Sequence, residues 1–515
     1  MTRRHRSMQR PACRRPEPAE RSEAIKQSEA NKQEEASLND LVEVRAGIYH
    51  DSVSLMRVSQ ALAALPGVAV AIVAMATELN VGLARDAGFA VPPATPGDLL
   101  VAIRAASDEA VREAAAELER RLAAREAAGT GPREDRPPRT TRSAVRAAAR
   151  SAAGEATVAL VSVPGEYAFL EAADAVEAGV SVMIFSDNVP VEQEILLKDR
   201  AREKGVLVMG PDCGTAVIGG AGLGFANVLR PGPVGVVAAS GTGAQQVTSL
   251  LDLAGVGVSH LLGVGGRDLS AEVGGRSAIQ ALRALDADPA TELIVLVSKP
   301  PAPEVARAVR DLGLGTKVVT ALLGPGQDDL TAAVEKVLGA LGREAPEWPS
   351  WPAPAGAAGE EARGGEGGPL RGLYSGGTLC AEAAIIAGTG EFTDFGDDAY
   401  TRGRAHPMID PALRLEALDA AESGVVLLDV VLGHGADPDP SARLAPAVAR
   451  ACGRGVAVVV ALIGTDGDPQ GLGGQAARLN EAGAAVFTSN AAAARHARDL
   501  ATATRPSPGP QMGAL

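Results

Sequence analysis

Short runs of Val, Ile and Leu alternate with longer, polar-faced stretches from Val42 onward. This rhythm predicts parallel strands joined by helices, because nearly continuous apolar strands arise where both faces of a sheet are covered. The clearest predicted strands are Val68–Met75, Thr157–Val163, Val180–Phe185, Val206–Met209, Val234–Ala239, Leu293–Ser298, Val318–Leu323, Val425–Val431 and Val456–Ile463. Two stretches interrupt the alternation: the charged, Gly- and Pro-punctuated segment 124–142, and the segment 344–369, which holds both tryptophans. Both read as linkers, the second dividing domains.

The pattern also repeats. Val319–Gly324 recurs as Val459–Gly464, Ser240-Gly-Thr-Gly has a counterpart in Ser375-Gly-Gly-Thr, and Leu293–Ser298 matches Val425–Val431, all spaced 132 to 140 residues apart. Two tandem α/β domains of similar plan are expected, over 231–343 and 370–505.

Composition narrows the chemistry. At roughly 150 residues per domain, 515 residues suggest about three domains. With 49 basic and 63 acidic side chains the net charge is −14, and no basic stripe offers the footprint that nucleic acid needs. Cys13, Cys213, Cys380 and Cys452 lack CxxC spacing, which argues against a disulfide framework or zinc site and fits a reducing cytoplasm. The longest apolar run, Ala61–Ala76, is broken by Pro66-Gly67 and is too short for a membrane span. Met1–Arg15 is Arg-rich without an apolar core, so it does not read as a secretory signal. Residues 1–40 are expected to be a disordered extension and 506–515 a tail.

In parallel sheets, ligands gather where strands end and helices begin. The strand before Ser240, Gly241, Thr242 and Gly243 runs into small residues that free backbone N–H groups at a helix start, an arrangement suited to anions. It lacks the lysine of a phosphate-binding GxxxxGK[ST] loop. Ser375, Gly376, Gly377 and Thr378 repeat the design; ordinary tight turns are the plainer alternative. Gly265, Gly266 and Arg267 follow another strand and suit a grip on carboxylate or phosphate, with a salt bridge from Arg267 to Asp268 or Glu272 as the alternative. Gly210, Pro211, Asp212, Cys213 and Gly214 offer amides, a carboxylate and a thiol, and Cys213 reads better as a buried structural thiol than as a nucleophile. Asp187-Asn188 reads as a cap for the helix that follows.

The densest polar cluster runs from Asp394 to Pro411 and contains Tyr400, Arg404, His406 and Asp410. These groups suit an anionic acceptor and a proton transfer, against the alternative of a solvated loop with ion pairs. Asp397 and Asp398 raise the question of a divalent ion, but metal-motif spacings are missing and no metal is expected.

These loops resemble the FdrA family, acyl-CoA-synthetase-like proteins related to the succinyl-CoA ligase α subunit. The matching residues include 51–56, 186–188, 201–205, 209–215, 239–243, 265–269, 272–275, 298–301 and 406–411. The resemblance implies an α/β chain: a Rossmann-like, CoA-binding-type region over 41–230, followed by two tandem flavodoxin-like, succinyl-CoA-synthetase-like domains. It assigns Gly210–Gly214 and Ser240–Thr242 to the CoA and phosphate region. The ligase phosphohistidine would follow Val318–Leu323, where Gly324–Gln327 has no histidine. The implied function is a subunit of an acyl- or carbamoyl-transferring complex, including oxamate carbamoyltransfer in allantoin breakdown, working with separate partner subunits and a small anionic acceptor. An acyl-CoA synthetase and a noncatalytic assembly or sensing subunit are the alternatives. CoA or an acyl phosphate is expected as substrate, with no covalent cofactor.

Overall fold

The computed structural model describes residues 38–502 apart from 49, 51, 129–137, 139, 151–153, 155, 325, 355–367, 402 and 403. The expected extension up to residue 37 and the tail from 503 lie outside these residues. The chain divides into two units, residues 1–50 with 54–132, and 51–53 with 133–515.

In the first unit, Leu99–Ala105 is the central strand, antiparallel to Asn39–Arg45 on one side and Val68–Met75 on the other. This corrects the expectation of a parallel, Rossmann-like layer from residue 41. Apolar runs report that a strand is buried, not which way its neighbour points. The two outer strands run parallel with the third inserted between them, a split βαβ arrangement. Leu55, Val58 and Leu62 recur at helical spacing on Ser52–Ala63 and pack with Leu118 and Leu122 of the Asp108–Ala128 helix on one sheet face. That second helix, and the Thr141–Ala148 helix with its Thr140–Ser143 capping box, occupy both ends of the segment expected to be a linker.

The second unit opens with the parallel strands Val158–Val161, Ser181–Ile184 and Val208–Met209, interleaved with helices Gly165–Glu177 and Val191–Lys204. This is the Rossmann-like part. A six-stranded sheet follows in the order Lys317–Leu322, Leu293–Ser298, Pro231–Ala238, Val258–Gly263, Thr215–Ile218, Ala221–Gly224, the first four parallel. A second six-stranded sheet runs Ser350–Trp351, Ala485–Phe487, Ala457–Ile463, Val425–Val431, Leu370–Tyr374, Glu391–Asp394. When each domain's parallel strands are counted in chain order, both sheets read 4-3-1-2, the second with a fifth strand beyond its fourth. Ser240 and Ser375 therefore occupy the same topological place, after the first strand.

The segment expected to divide domains does more than connect. Trp351 pairs with Val486 as an antiparallel edge strand of the second sheet. The two ligase-type domains share one apolar core, in which Val247, Leu250, Leu330, Val334 and Val337 meet Leu379, Ala383, Ala493 and Ala497. Polar ties cross it: Gln246 donates to the Thr488 carbonyl at 3.0 Å and accepts from the Asn490 N–H at 2.8 Å. Asn227 donates to Asp468 at 2.8 Å. No helix among the described residues is long and apolar enough to cross a membrane.

Candidate functional site

The Gly241–Leu253 helix starts at Ser240, whose hydroxyl accepts the Gly243 N–H at 3.0 Å. The matching helix, Gly377–Ala387, has no side-chain cap. Ser375 turns its hydroxyl away, donating to the buried Asp429 carboxylate at 2.9 Å, and its N–H binds the same oxygen at 2.7 Å. The first N–H groups of that helix are therefore left for another partner. The two helix starts abut: a Cβ on Gly376 would lie 2.4 Å from Thr242 Oγ1, and one on Gly243 would lie 3.0 Å from the Thr378 methyl. Both positive helix ends converge on one place.

A cation joins them from the first ligase-type domain. Lys299, beyond the Leu293–Ser298 strand, is exposed, makes no ion pair among the described residues, and holds its Nζ 3.1 Å from where a Gly377 Cβ would stand. Asp394 faces the same point at 2.5 Å, and burial raises its pKa against the opposing pull of the Gly396 N–H and Lys299. Gly324 lies beside Pro300, with 3.7 Å between a Cβ there and the proline ring, so the loop without histidine borders the lysine.

The Gly210–Gly214 turn contributes from the Rossmann-like part. Asp212 takes a left-handed conformation, φ 56°, as does Asn188 at 54°. Its Oδ2 lies 3.3 Å from the position of a Gly266 Cβ, and no protein hydrogen bond reaches the carboxylate among the described residues. The residue as a whole is exposed, with the Gly266 backbone beside its carboxylate. Lost hydration first, then the charges of Asp187 and Asp398, push its pKa up to about 7 against Arg267 and Lys299. Cys213 is buried beneath, its thiol facing the Thr215 and Gly263 carbonyls at 3.5 Å, and burial pushes it up to about 12. Burial and a raised pKa suit a structural thiol better than a nucleophile.

Arg267 pairs with neither Asp268 nor Glu272. Its Nη2 meets Glu194 at 2.9 Å and donates to the Val189 carbonyl at 2.7 Å, leaving the side chain half-exposed. Glu194 is held in turn by the buried Lys198, which also binds Asp268 at 2.7 Å. Asp268 accepts the Ser277 and Ala278 N–H groups at 3.0 and 2.8 Å, tying the Gly265–Arg267 loop to the next helix. Asp187-Asn188 does not cap as expected, since Pro190 begins the following helix without a side-chain cap.

The 394–411 cluster is dispersed. Asp410 pairs with Arg443 at 2.7 Å, Tyr400 packs against Phe395 with tilted rings whose centres are 5.1 Å apart, and Arg404 is exposed. Arg402 lies outside the described residues. His406 turns inward against the Phe225 ring at 5.7 Å, its Nδ1 accepting the Met408 N–H at 3.2 Å and its Nε2 facing Gly396. Lost hydration and the nearby Arg414 push its pKa down to about 4. With one nitrogen committed and the ring neutral, His406 is ill placed for the expected proton transfer.

Sequence reading passed over Lys299 and Asp429. Lys299 carried its place after a strand and within the matching run 298–301 but no role, and Asp429 was hidden inside an apolar run.

Comparison with known proteins agrees with this division of the chain. Residues 38–138 match the AllF heavy metal-associated domain family, and residues 373–500 match the CoA-ligase family. Residues 38–138 hold no cysteine and one histidine, His50. Among the described residues no group of three or more His, Cys, Asp or Glu is arranged to hold a metal. That donor set does not fit a soft metal ion. The succinate–CoA ligase subunit alpha 2 of Archaeoglobus fulgidus is 31% identical over 30% of this chain and 53% of that protein. A solved dinucleotide-forming acetyl-coenzyme A synthetase from Ca. Korarchaeum cryptofilum is 18% identical, covering 67% of this chain and 82% of that one at a TM-score of 0.27. YahF of Escherichia coli K12 is 36% identical over 87% of this chain and 96% of YahF. The chain belongs to the family of YahF, with an AllF-type domain ahead of a CoA-ligase domain.

Proposed function

We propose that the chain is a subunit of an acyl- or carbamoyl-transferring complex that works on an acyl phosphate, of the FdrA type. The observation that carries this is the meeting of two helix starts at Thr242 and Gly376, with Lys299 beside them. Unsatisfied N–H groups and a free ammonium favour a phosphate leaving group, and they gain strength as its charge develops. Arg267 and the Gly265-Gly266 backbone supply further donors on the neighbouring loop. The likeness to CoA ligases supports acyl chemistry, and the absence of histidine from Gly324–Gln327 favours direct use of an acyl phosphate over a phosphohistidine relay. Carbamoyl phosphate with oxamate as anionic acceptor is the pair we favour, and partner subunits complete the site.

A second reading, acyl-CoA ligation with a nucleotide-binding partner, draws on the match to succinate–CoA ligase α subunits. The test is to isolate the chain with the proteins that accompany it and to assay carbamoyl phosphate plus oxamate against succinate plus ATP and CoA. Carbamoyl transfer without nucleotide supports the first reading. ATP-dependent thioester formation supports the second and overturns the first.

A further inference from the structure

The proposed transfer needs a group to take a proton from the acceptor, and the expected one, His406, is committed elsewhere. We propose that Asp212 is the general base of the transfer, an inference that rests on the acyl-phosphate reading above.

Four observations lead to it. Among the described residues no protein hydrogen bond reaches the Asp212 carboxylate, whereas Asp268 on the facing Gly265–Asp268 loop is engaged by Lys198, Ser277 and Ala278. Its backbone is held in a left-handed conformation that costs a non-glycine residue energy, which fixes where the side chain projects. The carboxylate stands over Gly266, where the absence of a side chain leaves room for a substrate atom. Thr215, at the end of the same turn, links it to the helix starts, because a Cβ on Gly241 would lie 3.2 Å from its Oγ1. The charged groups facing Asp212 are Asp187 and Asp398, which favour its protonated form, and Arg267 and Lys299, which favour the carboxylate. A base balanced in this way near neutrality exchanges protons efficiently at working pH.

The step balances without an oxidant or metal. The acceptor X–H attacks the carbonyl carbon of the acyl phosphate, forming a C–X bond. The bond from that carbon to the bridging oxygen breaks, and its electron pair leaves on that oxygen with the phosphate, which the helix N–H groups and Lys299 receive. The proton of X–H passes to Asp212 Oδ2 and from there to water.

The test uses the full chain and its assembled complex. Calorimetric titration with acetyl phosphate and carbamoyl phosphate first measures binding to wild type and Asp212→Asn. Failure of wild type to bind either one overturns the acyl-phosphate reading and this inference with it. Given binding, Asp212→Asn is expected to bind within about threefold of wild type but to transfer about 100-fold more slowly. Wild type is expected to show an acidic limb near neutral pH, and the variant should lose it. Wild-type rate and an unchanged limb in Asp212→Asn overturn the assignment while leaving the acyl-phosphate reading intact. If Asp212→Asn does not fold, Asp212→Glu serves instead: a limb displaced along the pH axis supports the base, and an unmoved limb overturns it.

Discussion

Gly376 of the second ligase-type domain lies against Thr242 of the first so closely that a Cβ at 376 would stand 2.4 Å from Thr242 Oγ1 and 2.7 Å from its Cβ. Gly376 has φ −129°, which any residue adopts, so glycine is needed here for space and not for conformation. The contact is where the two helix ends are brought together.

Gly376→Ala is therefore expected to push the helix starts apart. Overpacking of this kind costs about 1–3 kcal/mol. Millimolar phosphate is expected to stabilise wild type thermally, and the variant should lose that gain. Thermal denaturation with and without phosphate measures both effects, and adding Thr242→Gly should restore them. Equal stabilisation of wild type and Gly376→Ala would remove the abutting helix starts from the anion site.

Lys198 sits between two carboxylates with about 1% of its side chain exposed. Replacing it with Met leaves Asp268 buried without a cation and Glu194 with Arg267 alone, and breaking a buried pair costs about 3–5 kcal/mol. Urea denaturation of Lys198→Met should show that loss.

Glu382 is buried at the seam between the ligase-type domains, accepting the Leu330 N–H at 2.6 Å and the Asn490 amide at 2.7 Å. Lost hydration pushes its pKa up to about 7, with Asn490 and Leu330 opposing. A carboxyl raised on folding contributes stability that is fully present below its unfolded value, near 4.5, and is lost as pH rises through about 7. The contribution is at most about 3 kcal/mol. The stability difference between wild type and Glu382→Gln, followed by urea denaturation from pH 4 to 8, should shift in favour of the variant across that window. A pH-independent difference would show that Glu382 keeps an ordinary pKa.

His406→Gln should lower stability by about 1–2 kcal/mol, because it empties part of the space against Phe225 and drops the Met408 contact. Its pH–rate profile in the assembled complex should match wild type, since a group already neutral above about pH 5 contributes no limb near neutrality. A lost limb in this variant would return the proton transfer to His406.

Strands Val68–Met75, Leu293–Ser298 and Val425–Val431 were legible to their ends, because each is an apolar run buried on both faces or bounded by clear turn residues. The duplication was legible because equivalent strands end in equivalent small residues. The antiparallel layer around Leu99–Ala105 was not, since direction of pairing leaves no trace in hydrophobicity. Ser240 and Ser375 could be picked out as helix starts, but their proximity is a property of domain packing. Lys299 reaches the helix of another domain, and nothing in its local sequence names that neighbour. The 394–411 cluster misled because density along the chain is not convergence in space: Asp410 and His406 point to different partners.

The apolar core common to the two ligase-type domains has a topological corollary. What holds these halves together is the seam itself, through Gln246, Thr488, Asn490 and the surrounding aliphatic side chains, and not the covalent thread between them. Severing the backbone within 355–367 should therefore yield two polypeptides that remain associated and melt as one body. Either piece expressed alone would present to water the aliphatic surface meant for its sibling, making the peptide connection dispensable and the sibling obligatory.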